Sequence, residues 1–114
     1  MHACHRTIIA TLLMLALQLV ALSSGAFAQR PLDYPGAVNT TAYGINAAGT
    51  FIVGGYTDTS GTIHGFAWQG GTFTGLNIRG AAGTTVYGIN AAGSFIVGNY
   101  VDTSGTGHGF LGIR

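Results

Sequence analysis

Two histidines and two aspartates carry most of the side-chain chemistry this sequence offers. His64 follows Asp58 by six residues, and His108 follows Asp102 at the same interval, with Thr-Ser-Gly-Thr after the aspartate both times. A carboxylate beside an imidazole is the pairing that orients a general base. A metal site would have to draw on both pairs, because zinc wants three or four ligands and each pair offers one histidine and one carboxylate. The alternative is structural: a partly buried imidazole must be satisfied, and it can tie its strand to the preceding turn or to a neighbouring strand. The doubling favours that alternative. His64, His108, Asp58 and Asp102 are therefore the candidate metal or catalytic residues, but they are read first as wiring, with no catalytic residue, metal or cofactor expected.

Other motifs fail on composition. "DTSG" at Asp58 and Asp102 approaches the Asp-Thr-Gly of aspartic proteases, but Ser60 and Ser104 interrupt it. A calcium loop would need acidic companions at alternate positions, and Asp58 has none. No G-x-S-x-G, Walker or CxxC pattern occurs. Asn39-Thr40-Thr41 is a formal glycosylation sequon. Tyr43, Tyr56, Tyr87, Tyr100 and Trp68, with many Thr, Ser and Asn side chains, could form a stacking platform for sugar or peptide, or fill sheet interfaces; the second is favoured.

The histidines sit inside a duplication. Thr41–Phe66 aligns without gaps on Thr85–Phe110 with five differences in 26 positions: Ala42/Val86, Thr50/Ser94, Gly55/Asn99, Thr57/Val101 and Ile63/Gly107. The register runs back to Leu32/Leu76, Gly36/Gly80, Ala37/Ala81 and Thr40/Thr84. Repeat 1 is thus placed at about 32–75 and repeat 2 at about 76–114.

Each copy reads as strands joined by turns. "TAYGI" is a first strand, closed by "NAAG", where Asn46 can bond the turn backbone and Gly49 can take a positive φ. "TFIVGGY" is a second strand; "DTSGT" is a turn with Asp58 placed for an Asx-type bond. "IHGFAW" is a third strand, and "TFTGLNI" after "QGG" a fourth, which repeat 2 lacks. Phe51 and Val53 point to one face while Ile52 and Tyr56 point to the other, as in a sheet covered on both sides. Glycines at 54, 55, 65 and 75 weaken strands unless another backbone approaches closely. The class expected is all-β, with two four-stranded repeats of about 44 residues resembling propeller blades in size. Propellers have 4 to 8 blades, so a two-sheet sandwich, a ring of several chains and a remnant of a longer array all stay open. The opening segment Leu32–Gly36, equivalent to a fourth strand, could pair with the last sheet and spare it an open edge.

Composition limits the partners. "MHACHR", the apolar "TIIATLLMLALQLVAL" and the small residues Ala26 and Ala28 read as a signal peptide at 1–28, cleaved after Ala28, which implies a secreted or periplasmic protein with no membrane association afterwards. The domain at 29–114 has no cysteine, so no disulfide can staple it. Its charged residues are Arg30, Arg79 and Arg114 against Asp33, Asp58 and Asp102. Neutrality argues against nucleic acid, because neutralised phosphates supply most of that affinity, and it removes a barrier to self-association. A domain this small has a modest core, so association with itself or with other β-repeat chains is expected, with a surface glycan or protein as a further ligand class.

The order G-I-N-x-x-G, I-V-G, H-G-F resembles the bacterial extracellular repeats of the HAF family. The matching residues are Gly44, Ile45, Asn46, Gly49, Ile52, Val53, Gly54, His64, Gly65 and Phe66, then Gly88, Ile89, Asn90, Gly93, Ile96, Val97, Gly98, His108, Gly109 and Phe110. Gly65 and Gly109 replace the alanine of the name-giving triplet, and Trp68 becomes Gly112. The resemblance implies export and a β-propeller-like repeat architecture, and implies no catalytic residues. The function expected is a non-enzymatic module of structural, adhesive or protein-interaction type; the alternatives are a small carbohydrate-binding module or a His/Asp-based hydrolase or metal site.

Overall fold

The computed structural model describes residues 28–114, which form two antiparallel sheets. The expected signal segment and its helix lie, apart from Ala28, outside the described residues. The first sheet contains β1 (Asn39–Ile45), β2 (Phe51–Thr57), β3 (Ile63–Gln69) and β4 (Thr72–Leu76) in that order. The second contains β5 (Gly83–Ile89), β6 (Phe95–Val101) and β7 (Gly107–Ile113). Every neighbour is a sequence neighbour, so the chain meanders through each sheet. No helix occurs among the described residues. β1 begins two residues before the expected strand, and β4 stops at Leu76 rather than continuing to Ile78.

The repeated sequence repeats its local geometry. Asn46 Oδ1 accepts from the N–H groups of Thr50 and Phe51, each at 2.9 Å, and Asn90 Oδ1 does the same for Ser94 and Phe95. An amide side chain thus closes each first turn. Gly49 and Gly93 complete these turns at φ of +71° and +73°, where a side chain is strained. β1 carries an irregularity between Ala42 and Gly44, and β5 reproduces it between Val86 and Gly88.

The opening segment departs from expectation. Leu32–Gly36 forms no strand and does not pair with the second sheet. Instead the Tyr34 ring stacks on Tyr56 at 3.7 Å and 8°, and the Tyr34 N–H donates to Thr40 Oγ1 at 2.9 Å. Pro31 just before the segment and Pro35 within it have no N–H to donate, which suits a connector better than a ladder. The link between the copies is built alike: Ile78 N–H donates to Thr84 Oγ1 at 3.1 Å. β7 keeps an edge on which no described strand pairs.

The core lies between the sheets. β5 runs across β1, β2 and β3, and Val53, Ala67, Val86 and Ile96 form one buried cluster, with Leu76, Ile89 and Phe110 packed against it. Each fully buried aliphatic side chain contributes about 1.5–3 kcal/mol. Phe66, also fully buried, points to the other face of the first sheet, where it meets Phe73 and Tyr34. That face also carries Ile52, Tyr56, His64 and Trp68, which are cross-strand partners or two-residue neighbours.

Missing side chains allow this approach. A Cβ on Gly65 would strike the Leu76 carbonyl and come 2.9 Å from Val86 Cγ2; one on Gly44 would come 2.7 Å from the Tyr87 carbonyl oxygen. Gly109 occupies the position of Gly65 in the second sheet, where nothing stands nearer than 3.9 Å. Gly65→Ala therefore destabilises by about 1–3 kcal/mol, as overpacked sites do, while Gly109→Ala changes stability by less than about 0.5 kcal/mol. Urea melts of both variants at low protein concentration measure the difference; equal losses would contradict it.

Candidate functional site

The four candidate residues fall into two separate pairs, one per sheet. His64 opens β3 and faces back along its own hairpin: its Nε2 lies 2.7 Å from Asp58 Oδ2. Asp58 begins the preceding turn, directly after β2. Its other oxygen, Oδ1, accepts from the Ser60 N–H at 2.8 Å, the Ser60 hydroxyl at 2.6 Å and the Thr62 N–H at 3.0 Å. Gly61 closes the turn at φ +88° and donates its N–H to the Asp58 carbonyl at 3.0 Å. The carboxylate is thus fully engaged by residues within six positions of it.

The second copy repeats the arrangement at the start of β7. His108 Nε2 lies 2.9 Å from Asp102 Oδ2, and Oδ1 accepts from Ser104 N–H at 2.9 Å, Ser104 hydroxyl at 2.6 Å and Thr106 N–H at 3.0 Å. Each imidazole also stacks on the tyrosine directly across the ladder, Tyr56 on His64 at 5.0 Å and Tyr100 on His108 at 4.9 Å. So each histidine joins a turn to a strand pair.

The electrostatics follow from these bonds. The Ser60 hydroxyl first, and the His64 imidazole next, hold the Asp58 carboxyl well below its ordinary 3.8. His108 first, and then the Ser104 hydroxyl, do the same for Asp102. Such carboxylates are strong acceptors and poor bases. Tyr56 is pushed up to about 12 by burial, reinforced by the Tyr34 hydroxyl and the Asp58 charge. It stays a neutral phenol at physiological pH.

Convergence is what a shared metal or catalytic centre would require, and these residues do not converge. Each histidine bonds the aspartate of its own copy, and among the described residues no three His, Cys, Asp or Glu side chains gather closely enough to hold a metal ion. A cleft of about 180 Å³ beside His64 is lined by Thr62, Ile63, Asn77 and the connector Ala81–Thr84, and includes neither aspartate of the pairs nor His108. A larger hollow of about 560 Å³ is bounded by Asp33–Thr40 and holds none of the four.

The two exposed tyrosines that meet do not share a plane. Tyr43 and Tyr87 are exposed and adjacent, with ring centroids 4.6 Å apart, but their planes are inclined by 54°. Tyr56 is stacked between Tyr34 and His64. The remaining motif residues do what a sheet repeat needs: Val53 and Phe66 fill space, and Asn46 and Asn90 close turns.

Two participants were not foreseen. Ser60, which had only served to break a protease motif, supplies the shortest bond to Asp58. Asn77 places Oδ1 3.2 Å from His64 Nδ1; it lies 13 residues away, and no local pattern points to it. No protein-family model, curated protein or solved structure matches the chain.

The acid behaviour can be stated with its sign. A carboxyl whose pKa is depressed by folding contributes stability that is full above the unfolded value of 3.8 and is lost as pH falls through and below that range. Asp58→Asn and Asp102→Asn should each lower Tm at neutral pH and flatten the acid limb of a Tm-against-pH curve. Asp58→Asn should cost more, because its partner His64 is half-buried whereas His108 is exposed. An unchanged acid limb in the double variant would contradict the assignment.

Proposed function

We propose that this chain is an exported, non-enzymatic β-repeat module of structural or adhesive type, in which two blade-like repeats of the kind seen in the HAF family use their polar residues for cohesion. The observation that carries this reading is the closure of each Asp–His pair upon its own turn, in the same way in both copies. A general base needs a lone pair aimed at substrate and an approach to it. Here each aspartate takes Nε2 of its own histidine, and in the first copy Asn77 engages the remaining Nδ1, so the imidazole of that copy is held from both sides. The leader-like segment at 1–28 supports export, and the neutral, cysteine-free remainder supports contact through sheets rather than through charge or disulfides. Its partners on this reading are further β-repeat chains, itself included, or a surface protein or glycan.

The test compares stability with turnover. His64→Ala should lower Tm, because it removes the bonds to Asp58 and Asn77 and the stack on Tyr56, while the wild-type protein shows no His64-dependent hydrolysis of ester, peptide or glycosidic chromogenic substrates. A hydrolytic activity that disappears in His64→Ala with Tm unchanged would overturn the reading.

A further inference from the structure

Equivalent residues in the two copies differ sharply in exposure, and the differences lie on the faces of the two sheets turned away from the shared core. On β5, Thr84 and Val86 are 2% and 0% exposed, buried against the first sheet. Their counterparts on β1 are the half-buried Thr40 and the exposed Ala42. In the first sheet Val53 and Ala67 are 0% and 2% exposed, while their counterparts Val97 and Leu111 in the second sheet are 48% and 66% exposed. Phe95, Val101 and Ile113 share that uncovered face with Val97 and Leu111, because Phe95 pairs with Ile113 and Val97 with Leu111. The chain thus presents both halves of one interface, each without its complement.

We propose that the uncovered face of the second sheet, Phe95, Val97, Val101, Leu111 and Ile113, binds the Ala42 side of the first sheet of a second copy of this chain, in the register by which the two sheets pack within one chain. This rests on the cohesive reading given above and names its partner.

Three features point to a second copy. The first is size matching. Within the chain, large Val86 shares the core cluster with small Ala67; at the proposed contact small Ala42 would meet large Leu111. Likewise Gly83 lies under Ile63, whose carbonyl oxygen and Cβ are 3.6 and 3.9 Å from where a Gly83 Cβ would be; at the proposed contact Asn39 would meet Gly107. Two contact pairs are reversed in size together, so the two faces fit each other in the same register. The second feature is an amide without a cross-sheet acceptor. The Asn46 side-chain amide donates to the Ala91 carbonyl across the sheets at 3.0 Å and is buried. Asn90 is exposed, and its amide reaches Ser94 Oγ within its own turn; the shared register directs it to the Ala47 carbonyl of the second copy. The third is a vacant ring seat. Phe51 covers Gly93, a Cβ on which would come 2.5 Å from the ring, whereas Gly49 has nothing within 4 Å and Phe95 is exposed.

One position differs in kind. Gly55 lies under the Thr85 methyl, 3.3 Å from where its Cβ would be, and Asn99 replaces it; there the Asn99 amide meets the Thr41 hydroxyl of the second copy. Charge sets no barrier, since the three arginines after the leader balance three aspartates. The contact joins different faces, so it is heterologous, and repeated addition makes a ring or a filament.

Variants on each face test this on the full chain, purified in the form the producing cell yields. Val97→Asp blocks one face and Ala42→Asp the other, and Leu111→Lys replaces Val97→Asp if that variant fails to fold by circular dichroism. By sedimentation velocity the wild type should grow in mass with concentration, each variant alone should stay monomeric, and an equimolar mixture should form a two-chain species and nothing larger. Asn90→Asp, which keeps the Oδ1 acceptor of its turn and removes the amide donor, should weaken association at least about fivefold. A dimer of Ala42→Asp alone would mean that like faces pair, which overturns the proposal, as would a mixture that stays monomeric. A wild type monomeric at all concentrations also overturns it, yet leaves the non-enzymatic reading to the His64→Ala experiment.

Discussion

The nearness of β5 to the first sheet governs the rest of the structure. At Gly44 and Gly65 the opposing backbone and Val86 occupy the space that a side chain would fill, so the two sheets nest where ordinary strands would be held apart. That nesting buries Val53, Ala67, Val86 and Ile96 together. It is a small core. With so few side chains fully buried and no cysteine among residues 28–114, the fold depends on its turns as well as on its interior, and this is where the aspartates, histidines and asparagines are used.

The polar residues are distributed accordingly. Asn46 and Asn90 close the first turn of each copy, and Asp58 and Asp102 organise the second with the help of Ser60 and Ser104. His64 and His108 then carry each turn's order into the adjoining strand pair, through a carboxylate at one edge and a stacked tyrosine over the face. Local bonds of this sort can form before sheets associate. A repeat built this way holds each hairpin in shape through bonds made within it.

Much of this was legible in the residues. The duplication gave the strand boundaries to within two positions, because β-branched and aromatic runs alternate with Asn-, Asp- and Gly-bearing turns. The Asp58–His64 link could be anticipated from its six-residue spacing across one turn, and of the glycines at 54, 55, 65 and 75 the first three do lie under close neighbours, whereas Gly75 has only two side-chain atoms, at 3.7 and 3.8 Å. Other features depend on three-dimensional neighbours that no local pattern encodes. Asn77 reaches His64 only because β4 ends at Leu76 and the connector turns back beside β3. The opening segment was expected to extend the last sheet, but the Tyr34 ring finds a parallel partner in Tyr56, and two prolines remove ladder donors. Identical motifs also end in unlike surroundings: Asn46 is buried and Asn90 exposed, since only one of them has a sheet stacked on it.

A double-mutant cycle between Gly65 and Val86 probes that stacking most directly. If the sheets meet across the missing Gly65 side chain, Val86→Ala should relieve the part of the clash that Val86 makes, leaving the part made by the Leu76 carbonyl of the same sheet, so that Gly65→Ala costs less in the Val86→Ala background by about 1 kcal/mol. Strict additivity of the two losses in urea unfolding would show that Gly65 and Val86 do not meet, and the nested arrangement would be wrong.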